Sequence, residues 1–173
     1  KRQAKNIRVI GDVTNFLSWG FSPNGKYFVI TTYPVGWPQN QFILSVYDIN
    51  EREKKIETTV TFAMIPVEGA ICVNLDPVEL DGETTDDAGW GFSPDGKTFL
   101  LAYRTSEKHY NLHLYNTPTG NNVLESLYRS DFAAFWKFSP GSDLFMFVKQ
   151  AGSQPNASDL VDFYFTSNGT EYE

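Results

Sequence analysis

His109 and His113, four residues apart, are the two imidazoles of the 173-residue chain and the first candidates for acid–base or metal chemistry. A four-residue interval brings two histidines to one face of a helix, but on a strand or loop it does not place them as a helical metal pair is placed. They read as incidental. Asp81-Gly82-Glu83-Thr84-Thr85-Asp86-Asp87 is dense in carboxylates. It lacks the alternating ligands and the closing bidentate Glu of a calcium loop, so it reads as a solvated acidic connection. Cys72 is the single cysteine, which excludes an intrachain disulfide and any paired-cysteine motif. Ser and Asp are plentiful, yet there is no Gly-x-Ser-x-Gly elbow, phosphate-binding glycine loop or His-Glu-x-x-His, and no base partner for a nucleophile. The expectation is a chain with no catalytic residues, no metal and no cofactor.

The elements that carry these residues come from composition and repetition. Hydrophobic residues make up 41% of the chain and aromatics 16%, enough for one domain with a real core and suited to pleated, half-buried surfaces. A net charge of -7 argues against nucleic acid as a partner. No apolar run approaches the roughly 18–20 residues of a membrane helix. The opening Lys-Arg-Gln-Ala-Lys has neither an initiator Met nor a signal-peptide pattern, and a segment of something longer is expected. Asn156-Ala157-Ser158 and Asn168-Gly169-Thr170 match the glycosylation acceptor pattern, which matters only in a secreted eukaryotic protein.

An internal repeat organises the sequence. Trp19-Gly20-Phe21-Ser22-Pro23-Asn24-Gly25-Lys26 returns as Trp90-Gly91-Phe92-Ser93-Pro94-Asp95-Gly96-Lys97, and more loosely as Trp136-Lys137-Phe138-Ser139-Pro140-Gly141-Ser142-Asp143. Each copy is followed by a short apolar run (27–30, 98–101, 144–147) and then by a second one ending near Tyr47, Tyr115 or Tyr164. From the Trp to that Tyr the separations are 28, 25 and 28 residues. Pro presets φ at a turn corner, and Asn-Gly or Asp-Gly supplies positive φ, so the chain must reverse at once. The runs are apolar on both sides, as in strands buried on both faces. A fourth strand is predicted ahead of each Trp, at 7–10, 71–74 and 122–127. Three four-stranded antiparallel sheets result, in units of about 5–63, 68–120 and 121–170 within a single domain, 1–173. The recurring Trp19, Trp90 and Trp136, with Phe21, Phe92, Phe138, Pro23, Pro94, Pro140, Gly25 and Gly96, are read as structural repeat residues, the tryptophans packing between sheets.

The turn Phe92-Ser93-Pro94-Asp95-Gly96-Lys97 resembles those of WD40 and TolB-like β-propeller blades, and Val46-Tyr47-Asp48 resembles the aromatic–Asp pair that ends such blades. The resemblance spans about residues 5 to 170. Tyr replaces the WD40 Trp, and no Gly-His pair precedes any blade, which favours the TolB-like version and tilts the expected compartment slightly towards an extracytoplasmic one. Closed propellers need about four to eight blades, so three imply a partial or open propeller. Either the chain is a segment of a larger propeller, the preferred reading, or copies assemble as a homo-oligomer that completes the ring. The resemblance implies a non-catalytic binding or scaffolding module with a protein or peptide partner. Its alternative is a propeller segment of a larger hydrolase, as in prolyl-oligopeptidase-like peptidases.

Two connections stand out. Tyr33-Pro34-Val35-Gly36-Trp37-Pro38-Gln39-Asn40 is stiff and aromatic, and Tyr33 and Trp37 are candidate binding residues. Tyr47 and Trp90 are 43 positions apart, against 21 for Tyr115 and Trp136, so an insertion over about 55–86 is expected to hold an extra hairpin, with a strand at 55–62.

Overall fold

A computed structural model describes residues 16–34, 36, 41–61, 83–84, 88–106, 109–129, 134–150 and 159–172, and every regular element among them is a β-strand. The first sheet holds β1 (Phe16–Phe21), β2 (Tyr27–Thr32), β3 (Gln41–Asp48) and β4 (Glu53–Thr61), in that order. After the short β5 (Glu83–Thr84) come β6 (Ala88–Phe92), β7 (Thr98–Ser106), β8 (His109–Asn116) and β9 (Asn121–Arg129), which form the second sheet. The third combines β10 (Ala134–Phe138), β11 (Leu144–Gln150) and β12 (Asp159–Phe165) in the order β12-β11-β10-β5. All pairings are antiparallel.

The Ser-Pro turns fix the register of each sheet. The Ser22 amide donates to the Tyr27 carbonyl (3.0 Å), and the Gly25 amide to the Ser22 carbonyl (2.8 Å). In return the Tyr27 amide donates to Ser22 Oγ (2.9 Å), while Ser22 Oγ donates to Asn24 Oδ1 (2.7 Å). Ser93 and Asp95 repeat this arrangement with Thr98, Gly96 and Lys97. Gly25 and Gly96 stand at φ +67° and +71°, the left-handed conformation that glycine adopts without a Cβ penalty. With Trp19↔Ile30 and Phe21↔Phe28 paired, one face of the first sheet carries Trp19, Phe21 and Phe28 and the other carries Gly20, Val29 and Val46.

The sheets stack face to face in sequence order. Tyr27, Val29, Phe42, Leu44, Val46, Ile56 and Val60 of the first meet Trp90, Phe92, Phe99, Leu101 and Tyr115 of the second. The opposite face of the second sheet, with Leu100, Ala102, Leu112 and Leu114, meets Trp136, Phe138, Phe145, Phe147 and Tyr164 of the third. This is the architecture of consecutive propeller blades: all-β, four-stranded, antiparallel and not closed into a ring.

Three expectations need correction. The strand predicted over 122–127 ahead of Trp136 is β9, and it closes the second sheet instead of opening the third. Its pairing partner β8 lies only a tight turn away at Thr117–Gly120, so pairing stays local. Grouped by sheet, the second unit therefore runs through Arg129 rather than ending at 120. The strand predicted over 55–62 exists as β4, but it is the fourth strand of the first sheet and no part of an extra hairpin. The acidic segment contributes Glu83 and Thr84, whose backbone pairs with Phe135 and Ala134 on the free side of β10. The strands expected at 7–10 and 71–74, Cys72, Trp37 and Asn156 lie outside the described residues.

Candidate functional site at the open sheet faces

Each sheet builds the same aromatic cluster from its first two strands. Trp19 and Phe21 lie 5.8 Å apart between ring centroids, and Phe28 is 5.1 Å from Phe21 and 6.2 Å from Trp19. The corresponding separations for Trp90, Phe92 and Phe99 are 6.5, 4.9 and 6.1 Å. In the third sheet Trp136 lies 5.9 Å from Phe138, which lies 6.1 Å from Phe145.

The three clusters differ in what covers them. Trp90 and Trp136 are 2% and 6% exposed. Trp90 presses its six-membered ring onto Gly20 of the sheet before it, where a Cβ would stand 2.6 Å from Cη2. Trp136 does the same to Gly91, at 2.5 Å. The indole nitrogens of both are buried with no hydrogen-bond partner among the described residues, so their role is packing. Trp19 is 52% exposed and Phe21 57%, although the repeat predicts a buried packing role for all three tryptophans. The cause is positional, since no described sheet stands against that face.

At the other end, the far face of the third sheet holds Lys137, Met146 and Phe163 in one cross-strand row, Leu144 beside Phe165, and Val161 further along β12. Val161, Phe163 and Phe165 are exposed. Thus the stack ends in two apolar faces, one led by Trp19 and one by Phe163.

Polar groups serve to join the sheets. Asn24 Nδ2 donates to the Asp95 carbonyl, and the Asp95 amide donates to Ser142 Oγ (3.0 Å), linking the three turns in series. Gly120 at φ +73° lies so close to the Lys55 carbonyl of the first sheet that a Cβ would collide with it. Gly169 at +69° sits likewise on Val123 and Leu124 of the second, where a Cβ would stand 2.6 Å from the Leu124 Cβ. Asp48 caps the β3–β4 turn, accepting from the Asn50 and Glu51 amides at 2.9 and 3.0 Å, with Lys26 Nζ 3.3 Å away. Burial alone would raise its carboxyl, but those amides and the Lys26 charge hold it below the usual range. In the same way burial opposes, and the Lys97 amide and Ser93 hydroxyl enforce, a lowered Asp95.

His113 lies in the interface between the first and second sheets. Its ring stacks on Tyr103 (5.5 Å) and Tyr115 (6.2 Å), with Nε2 3.2 Å from the Tyr103 hydroxyl and Nδ1 3.3 Å from Asn122 Nδ2. Burial pushes its pKa down against the weaker pull of Glu125, and so keeps the ring neutral. His109 opens the same strand nearer solvent. Among the described residues no three His, Cys, Asp or Glu side chains converge as metal ligands would. Tyr33, half-buried, directly follows β2.

The features missed at the level of sequence are the seats of the tryptophans. Gly20 and Gly91 follow Trp in the first two copies, where a pleated strand would ordinarily carry a side chain, and Lys137 breaks the pattern in the third. That Gly-Gly-Lys series was the available signal.

No family model matches the chain, and no curated protein does. Solved structures do. An uncharacterized protein, lmo1340 from Listeria monocytogenes EGD-e, aligns over 96% of this chain and 42% of its own at 11% identity and a TM-score of 0.56. A structure described as the eukaryotic initiation factor aligns over 97% and 33%, at 11% identity and 0.52. The β-propeller domain of the Trilobed protease from Pyrococcus furiosus aligns over 91% and 42%, at 12% identity and 0.49. The chain therefore spans less than half the length of each of these structures, and the likeness is one of fold.

Proposed function

We propose that the chain is a run of consecutive blades in a larger β-propeller that works as a non-catalytic protein-binding platform. The observation that carries this reading is the exposure of Trp19 and Phe21 in a cluster whose two counterparts are buried by a neighbouring sheet. Covering the exposed halves of those two rings, roughly 200 Å² together, would contribute on the order of 5 kcal/mol, an incentive that a lone stack leaves unused. Stacked rigid sheets hold their connecting loops in fixed relation, which suits recognition of a protein or peptide.

The test compares solvent labelling of Trp19 and Phe21 in the 173-residue chain with labelling in the product of its full reading frame. Strong labelling in the first and protection in the second is the expected result. Equal labelling in both would discard the larger propeller. A serine hydrolase domain in that reading frame would replace the binding platform by the peptidase reading.

A further inference from the structure

Each of the two internal interfaces depends on a pair of glycines. On the inner strand, Gly20 or Gly91 makes room for the tryptophan of the following sheet; at the outer turn, Gly120 or Gly169 lets that following sheet close onto the outer strand before it. If one copy of the chain stacked on another, the Trp19 face of the first would meet the far face of the other's third sheet. The position equivalent to Gly20 and Gly91 would then be Lys137. The position equivalent to Gly120 and Gly169 is Arg52, which holds the same left-handed backbone at φ +59°. Both required glycines are thus replaced by long cations, and both are exposed.

We infer that Lys137 and Arg52 are specificity-determining residues, which bar the chain from stacking head-to-tail on itself and reserve the Trp19 face for a different blade of the same propeller, one with glycine at the register of Gly20 and Gly91. The rest of the far face is built for contact. Leu144, Met146 and Val161 occupy the sites of Thr98, Leu100 and Leu112, which the third sheet covers in the second. Self-association is therefore refused at two points on surfaces that otherwise attract. A Cβ at residue 137 would stand about 2.5 Å from the ring of an incoming Trp19, as it would at Gly91, and each cation would lose its hydration in a low-dielectric seam. The occupant follows from continuity with the interfaces already made, because Trp-on-Gly is the contact seen twice within the chain.

This inference rests on the blade reading above, but its experiment needs no flanking sequence, so the two can fail separately. Sedimentation velocity is measured over a concentration series for the wild-type chain, K137G, K137A and K137G/R52G, and for each with Trp19→Ala added. The wild type is expected to show no association that Trp19→Ala removes. K137G/R52G is expected to at least double in mass, K137G to associate more weakly and K137A not at all, with Trp19→Ala reversing each gain. Trp19-dependent association of the wild type would overturn the inference, and that arm holds even if a variant fails to fold. So would a folded K137G/R52G that sediments as the wild type does, or K137A associating as strongly as K137G.

Discussion

Replacing Gly91 by Ala tests the stacking geometry directly. The added Cβ would lie 2.5 Å from Trp136 Cη2 and 3.3 Å from Cζ3, whereas carbon atoms pack at about 3.5–4.0 Å. The indole must therefore retreat by about 1 Å. It has little room, because Phe138 stands edge-on at 5.9 Å and Leu100, Leu112 and Leu114 fill the facing sheet. Overpacking of this kind costs about 1–3 kcal/mol. Gly91 does not hold a positive φ, so its backbone accepts Ala without strain. Freed of the clash, Ala would stabilise the strand by roughly 0.5–1 kcal/mol. The net expectation is a loss of about 1–2 kcal/mol, read as a lower urea midpoint at unchanged m-value. Trp136→Phe removes the colliding ring atoms and sacrifices no hydrogen bond among the described residues. In the double variant the two losses should fail to add by about 1 kcal/mol. A Gly91→Ala protein as stable as wild type, or strictly additive losses, would refute the docking of Trp136 on Gly91.

Three further outcomes follow from the turns and the interface. Ser142→Ala should cost about 1 kcal/mol by removing the acceptor for the Asp95 amide, whereas Ser142→Gly should fall within about 0.5 kcal/mol of wild type, since relief of the left-handed backbone at φ +65° offsets the lost bond; chemical denaturation distinguishes them. Asp48→Asn should lower stability at neutral pH by about 1–3 kcal/mol through weaker capping of the Asn50 and Glu51 amides. Because Asp48 is held below its ordinary value, its contribution is present above the unfolded carboxylate pKa and is lost as pH falls through the folded one, so the variant's acid unfolding curve should be flatter there. His113→Gln should behave alike at higher pH: with the folded pKa lowered, the wild type loses stability as pH drops below the unfolded histidine value, and the variant should not, as midpoints at pH 7.5 and 5.5 would show.

The blade turns were legible because their chemistry is local. Ser22, Asn24 and Gly25 satisfy one another within four residues, so the sequence contains every partner. The assignment of strands to sheets was less so. Asn121–Arg129 follows a turn and reads as a strand in either sheet, and only the closeness of β8 across Thr117–Gly120 decides which sheet it joins. Glu83–Thr84 was unreadable as strand, because two residues carry no period, and their pairing with β10 is set across the chain. At the candidate site, the Trp repeat announced packing residues, but the exposure of Trp19 depends on what stands beside it, which no local pattern encodes. The histidine pair divides on the same ground. His113 falls on the face turned towards the first sheet, and its neutral, stacked state comes from Tyr103 and Tyr115 rather than from its spacing to His109.

The weak third copy of the motif is better explained by its neighbours than by decay. Its departures are Lys137 for Gly, Gly141 for Asn or Asp, Ser142 for Gly and Asp143 for Lys. Ser142 takes over the left-handed position at a backbone cost, and in exchange its Oγ accepts from the Asp95 amide while its carbonyl accepts from Thr166 Oγ1 at 2.7 Å. The carboxylate that Asp95 supplies one turn earlier moves to Asp143, which still receives the Ser139 hydroxyl at 2.7 Å, and that hydroxyl with the local amides holds Asp143 below the usual range. Gly141 leaves the space that the shift requires, since a Cβ there would meet Asp143 Oδ1 at 3.1 Å. Three of the four changes thus preserve the turn while linking it backwards to the second sheet. Lys137 is the one that faces away from the stack, and it alone alters what can approach from that side.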